Sequence, residues 1–277
     1  MFSRGLVRSV TFAAATPRIG CSTLVGNVAV ALARAGQNVC VLDQAAGSTG
    51  VAGALGVECS HDLVQVIRRD RALDDVVEHG PEGVRFVAAG QGSRLLGALP
   101  KTEERRLVEA FDGLSPAVDM LLVDAPSAGS DALSSWTLAS TEVVIVMSPG
   151  ADSITSAYGL MKRLSRDAAR RRFHVVVNRA RTASEARAIF DNLEATARRF
   201  LSASVAWLGW VPDDADLQRA TRLRQAVVGA YPQASSAAAI RAIADTAMHW
   251  PHAGEDRLDG FVHRLVQASR LSLSVNV

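Results

Sequence analysis

The chain has 277 residues, a formal net charge of +2, and 48% hydrophobic against 21% charged residues, enough for one large α/β domain or two small ones with a sizeable core. The near-neutral balance gives no general case for nucleic acid, no apolar run is long enough to span a bilayer, and the start Met1-Phe2-Ser3-Arg4 has no cleavable-signal pattern, which points to the cytoplasm. Cys21, Cys40 and Cys59 show no CxxC or metal-ligand spacing, so neither a structural disulfide nor a zinc site is expected.

The first apolar run, 10–15, reads as a buried strand. It leads into Thr16-Pro17-Arg18-Ile19-Gly20-Cys21-Ser22-Thr23 and then into an amphipathic helical stretch near 22–35. Strand, tight loop and helix N-terminus aim backbone N–H groups and a positive dipole end at an anion. A full phosphate-binding loop places a lysine before the Ser/Thr, the lysine for the outer phosphates and the hydroxyl for magnesium. Here Ser22 is present and Cys21 occupies the lysine position. The only lysines, Lys101 and Lys162, lie far away in sequence, so no shift of alignment restores the missing ligand. Arg18 is the one cation inside the loop and the candidate substitute, its competing reading being a solvent-facing loop residue. Cys21 admits a second reading, because a thiol at a helix N-terminus can be acidified and reactive. No His or second Cys neighbours it in sequence, which argues against a redox role.

Further apolar, β-branched runs follow at 39–42, 84–87, 120–123, 143–147, 173–177 and 205–208, most of them short and apolar throughout, as strands buried on both faces should be. Helix-period stretches lie between them near 102–114, 130–140, 152–168 and 183–202, with another near 234–248. This alternation predicts an α/β fold with a doubly wound, mainly parallel sheet and helices on both faces. The clusters Arg68-Arg69, Arg105-Arg106 and Arg170-Arg171-Arg172 read as solvated helix faces. Ligands of such sheets lie beyond the carboxyl ends of the strands. The polar residues expected there are Asp43, Asp124, Asn178 and Pro212-Asp213.

After Pro251, residues 258–266 carry a last apolar stripe, Leu258, Phe261, Val262, Leu265 and Val266 at i, i+3, i+4, i+7 and i+8. Arg257, His263, Arg264 and Arg270 lie beside or opposite it. The expected organisation is a body over 1–250 and an amphipathic helix or tail over 251–277. The stripe suits an anionic membrane surface, and equally a groove on the body or a partner.

Several stretches outside the loop resemble one family. The run from Ser153 through Ile154-Thr155-Ser156-Ala157-Tyr158-Gly159-Leu160-Met161 to Lys162 is similar to its SITDAYALIK. Arg172-Phe173-His174-Val175-Val176-Val177-Asn178 is similar to RFHVVAN, and Arg199-Phe200-Leu201, Leu208-Gly209-Trp210-Val211-Pro212 and Gln225-Ala226-Val227-Val228 to RFL, LGxVP and QAVV. The family is the MinD/ParA group of P-loop ATPases, and within it the FlhG (FleN) flagellar-number regulators; the likeness covers nearly all of 8–266. It implies ATP or ADP with Mg2+ as ligands. The loop is KGGVGKT in relatives, so Thr16 and Cys21 replace both of its lysines. Gly20, Cys21, Ser22 and Thr23 take the loop positions around the phosphates. Ser22, Asp43 and Asp124 match the magnesium side, the last within Asp124-Ala125-Pro126-Ser127-Ala128-Gly129. Ala45 replaces the carboxylate that positions the attacking water, and Asn178 and Pro212 match segments that bracket the base.

Phosphoryl transfer depends on positioning and on charge stabilisation at the phosphates, so these replacements imply weak binding with slow or absent hydrolysis. The resemblance further implies flagellar partners: an FlhF-type GTPase, a flagellar transcription activator or switch proteins. It implies a monomer or nucleotide-linked homodimer, and peripheral contact with the inner membrane if the tail binds it. Relatives often carry an N-terminal DQAxxLR-like segment that stimulates the GTPase, and residues 1–8 do not match it. The alternatives are an active nucleotide-switched ATPase and a ParA-like accessory protein for cellulose synthesis or cargo positioning.

Overall fold

Strand β1 (Arg8–Ala14) sits in the middle of the sheet, buried on both faces along its whole length. Val10, Phe12 and Ala14 enter one hydrophobic core and Ala13 another, as the two-residue period of a strand requires. The computed structural model describes residues 6–45, 50–114, 117–125, 133–251 and 257–274. The expected loop residues Pro126, Ser127, Ala128 and Gly129, the start of the 130–140 stretch, and residues 252–256 ahead of the last stripe lie outside the described residues.

The remaining strands are β2 (Val39–Asp43), β3 (Glu78–His79), β4 (Arg85–Ala88), β5 (Met120–Ala125), β6 (Glu142–Met147), β7 (Arg172–Ala180) and β8 (Ser204–Pro212). Their order is β3-β4-β2-β5-β1-β6-β7-β8, with β3 antiparallel to β4 and all other pairs parallel. The predicted doubly wound sheet is therefore present. β1 lies between β5 and β6, so the chain departs to opposite sides from that point and leaves a crevice at the strand ends.

Helices cover both faces. On one side α1 (Cys21–Arg34), the short α2 (Val51–Ala54), α8 (Ala215–Arg222), α9 (Val227–Ala230) and α10 (Ser235–Met248) share a core with Val41, Leu122, Val144 and Val176. The opposite face carries α3 (Leu63–Ile67), α4 (Lys101–Asp112), α5 (Ser135–Ala139) and α11 (Leu258–Ser274) over Leu42 and Leu121. Beside them α6 (Ala151–Asp167) and α7 (Ala183–Leu201) lie over Ile145 and Val175. Helices α1, α4, α6, α7 and α10 fall within a residue or two of their predicted spans, and α11 runs beyond the predicted stripe at 258–266 to Ser274. The elements that sequence periodicity missed are β3, α2, α3, α8 and α9, all eight residues or fewer. α8 is set by its cap: the Asp214 side chain accepts from the Asp216 N–H at 2.8 Å and joins the helix to α10 through the Ser236 N–H and Ser235 hydroxyl, both at 2.9 Å. Burial works to raise the Asp214 carboxyl, but these donors outweigh it and hold it at about 2.

The stripe on α11 is docked on the body. Leu258, Phe261, Val262, Leu265 and Val266 are all buried, in one core with Trp136 and Leu107, and the Phe261 and Trp136 rings lie 6.3 Å apart. Polar bonds fix the helix along its length. Arg264 Nε donates to the Ala139 carbonyl at 2.8 Å, while Arg270 reaches both the Leu99 carbonyl and Glu104 at 2.8 Å. His263 Nδ1 lies 2.8 Å from the other Glu104 oxygen. Of the readings open for the stripe, the groove on the body is the one realised, and a membrane-facing stripe is not what this conformation presents.

The histidine of the Arg172–Asn178 segment also has a structural place. Buried His174 lies 3.0 Å from Glu142 and stacks on Trp250 at 3.9 Å. It lies near the N-terminal end of β7, away from the crevice.

Candidate nucleotide and magnesium site

The loop after β1 closes on Gly20, whose φ of 85° places it in the left-handed region, accessible to glycine without steric penalty. A Cβ at that position would lie 2.9 Å from Asn178 Nδ2 and 3.4 Å from a terminal guanidinium nitrogen of Arg179. Asn178, at the end of β7, donates through Nδ2 to the Ile19 carbonyl at 2.7 Å. The loop is thereby tied to β7, two strands away from β1, and the absent side chain leaves a cradle.

Ser22, in the first turn of α1, donates its hydroxyl to Asp124 Oδ2 at 2.6 Å. Asp124 and Asp43 are register partners on adjacent strands and both are buried. Burial pushes the Asp124 carboxyl up to about 6; the Ser22 bond works against this and the charge of Asp43 adds to it. Burial also raises Asp43, partly opposed by N–H groups of Ala52, Ala45 and Val51. The Asp43 oxygens accept from Ala45 at 3.0 Å and Ala52 at 3.1 Å, and a Cβ at Gly50 would overlap this carboxylate. Asp43 therefore anchors the segment entering α2 as well as facing Asp124.

These donors are oxygens, the set a hard cation such as Mg2+ prefers. Among the described residues no group of three or more His, Cys, Asp or Glu side chains forms a metal cage. Mg2+ is commonly held by one or two carboxylates together with substrate phosphates, and Asp43 with Asp124 is such a pair.

The rest of the site departs from the motif. Cys21 is buried and its thiol faces the Phe12 carbonyl, 3.8 Å away. Burial, and then the negative charge of Asp124, push its pKa well above the ordinary value. The acidified-thiol reading is corrected here: desolvation and a neighbouring carboxylate outweigh the helix dipole. Arg18, at φ 60°, is exposed on the loop, so its solvent-facing reading is the one realised. Thr16 is half-buried, and Ala45 brings no carboxylate beside Asp43.

Next to the loop is a cavity of about 480 Å³ lined by Gly20, Thr23, Leu24, Asn178, Pro212 and Leu217, with Arg179 and Arg222 among its polar residues. It brings together Gly20, Thr23, Asn178 and Pro212 from the sequence set. Sequence reasoning missed Arg179, Leu217, Thr221 and Arg222. Arg179 directly follows Asn178, a signal that was available, whereas the others belong to α8, which was not predicted. The Gln225–Val228 segment has a packing role beside it: Asn27 of α1 accepts from the Val227 N–H at 2.7 Å.

Sheet order, loop and paired carboxylates define a P-loop NTPase fold of the MinD/ParA type. Among solved structures, the MinD cell division protein of Aquifex aeolicus superposes with a TM-score of 0.69 at 19% identity, covering 88% of this chain and 98% of that one. MinD of Pyrococcus horikoshii complexed with Mg-ADP gives 0.65 at 19% identity, over 87% and 96%. No protein-family model matches the chain. The antiactivator FleN of Pseudomonas aeruginosa is 34% identical over 251 residues, 90% of each chain. The chain belongs to the FleN/FlhG family.

Proposed function

We propose that this chain is a FleN/FlhG-like regulator of bacterial flagellar number or placement that works through protein contacts and turns ATP over slowly or not at all. The observation that carries the second half is Cys21. It stands where the loop lysine is expected, with its thiol buried against the Phe12 carbonyl. A preorganised cation that meets developing charge contributes several kcal/mol to phosphoryl transfer. This loop has no lysine, and Ala45 supplies no carboxylate to orient water.

Nucleotide retention draws on what remains. The loop N–H groups and the dipole of α1 attract phosphate, and the cavity beside Asn178 and Pro212 has room for a base. Ser22, Asp124 and Asp43 would be the residues to hold Mg2+, which would supply positive charge against the phosphates. Asp43 also bonds the backbone N–H groups of Ala45 and Ala52, so the state of the site is coupled to the start of α2. Flagellar proteins (an FlhF-type GTPase, a transcription activator or switch components) are the partner class, and the family membership supports it. Among the described residues no helix is long and apolar enough to cross a membrane; peripheral contact through α11 requires its stripe to leave the body.

Deleting the gene and counting flagella by electron microscopy tests the role. Altered number or position is expected, and wild-type flagellation would refute it. The Ser22–Asp124 pair favours a second reading, a slow ATPase whose dimerisation follows ATP. It predicts Mg-dependent turnover that disappears in Asp124→Ala, and calorimetry showing no heat at millimolar Mg-ATP would exclude it.

A further inference from the structure

Arg179 stands out against the missing lysines. Its backbone has φ 59°, a left-handed conformation disfavoured for residues with a Cβ. The conformation occurs where the β7–β8 register shifts between Asn178 and Ala180. Asn178 helps to hold it, because its Oδ1 accepts the Arg179 N–H at 3.1 Å while its Nδ2 bonds the loop at Ile19. The guanidinium is thereby brought across to the loop. Two of its nitrogens would lie 3.4 and 3.6 Å from a Cβ at Gly20, the residue immediately before the lysine position. It also lines the 480 Å³ cavity.

Resting on the reading of this crevice as a nucleotide site, we propose that Arg179 supplies the phosphate-facing charge that the loop itself lacks. An anion running from the cavity to the loop N–H groups passes the face of Gly20 against which this guanidinium rests. Arginine suits the task because its planar donors bind phosphate oxygens in pairs and its charge persists at all working pH values. Arg18 and Arg179 are both exposed, and it is the Arg179 guanidinium that lies at the face of Gly20; Arg222 belongs to α8, another element of the cavity lining. Because the guanidinium arrives from β7 rather than from the loop, it meets the phosphates from the cavity side, which serves retention better than hydrolysis.

The test is calorimetric titration of the full-length protein with Mg-ATP and Mg-ADP, comparing wild type with Arg179→Gln, Arg179→Lys and, as a nearby exposed control, Arg181→Ala. Loss of a charge-assisted phosphate contact should weaken Arg179→Gln by about ten- to a hundredfold. Arg179→Lys, which keeps the charge but loses the paired donors, should bind more weakly than wild type and more tightly than Arg179→Gln, and the control should match wild type. Binding in Arg179→Gln equal to wild type would overturn this role while leaving the nucleotide site standing. An equal loss in Arg179→Gln and Arg179→Lys would also overturn it, since guanidinium packing rather than charge would then be at work. No binding by wild type at millimolar nucleotide would remove the nucleotide reading and Arg179's role together.

Discussion

Replacing Asp124 by Asn should stabilise the ligand-free protein, and only above mildly acidic pH. The carboxyl is lifted from 3.8 to about 6, chiefly by burial. An acid with a raised folded pKa contributes stability that is fully present below its unfolded pKa, near 4, and is lost as pH rises through about 6. At ~1.4 kcal/mol per pH unit, the ionised group costs the fold about 3 kcal/mol at pH 7.5. Asparagine has the same shape, carries no charge and retains an oxygen for the Ser22 hydroxyl, now 2.6 Å from Oδ2. The melting temperature should therefore rise by roughly 6 °C or more at pH 7.5, at ~2–4 °C per kcal/mol, with little gain at pH 4. Differential scanning calorimetry of both proteins at the two pH values, without nucleotide or divalent ions, measures this. A less stable Asp124→Asn at pH 7.5, or the same gain at both pH values, would refute the claim that an uncompensated buried charge sits in the site.

Phe261 is buried beside Trp136, so Phe261→Ala should cost about 3–5 kcal/mol and lower the fluorimetric melting temperature by at least ~6 °C; a fall under ~2 °C would show that α11 is not part of the body's core. Gly20→Ala forces a Cβ to 2.9 Å from Asn178 Nδ2 at φ 85° and should lower stability by about 1–3 kcal/mol, read from the urea midpoint, where no change would contradict the geometry. Mass-spectrometric mapping of iodoacetamide adducts at pH 7.5 should leave Cys21 unmodified in the native protein, because burial raises its pKa, and rapid alkylation would overturn that placement.

The elements legible in sequence were those with a local period. The apolar runs of β1, β2, β5, β6 and β7 and the long amphipathic helices carry their burial pattern in consecutive residues, and acidic residues at strand ends mark the crevice of a parallel sheet. Asp43, Asp124, Asn178 and Pro212 could be named from their places at strand ends, and Ser22 from the loop motif. Short elements were not legible: α8 depends on Asp214 bonding to Ser235 and Ser236, 21 and 22 residues on, and β3 on pairing with β4.

By itself the sequence determined the sheet and the absence of lysine at the loop, because alternation along a strand and residue identity at a motif position are local properties. Tertiary structure decided what became of the side chains. The stripe at 258–266 is equally apolar whether it meets lipid or protein, and the groove formed by α4, α5 and the sheet settled its docking in this conformation. Cys21 is at a helix N-terminus in either reading, and burial beside Asp124 made its thiol a weak acid. Arg18 is inside the motif and points to solvent, whereas Arg179, far along the chain, reaches the loop because the bulge in β7 turns it there. Burial, desolvation and the direction of a long side chain depend on neighbours distant in sequence.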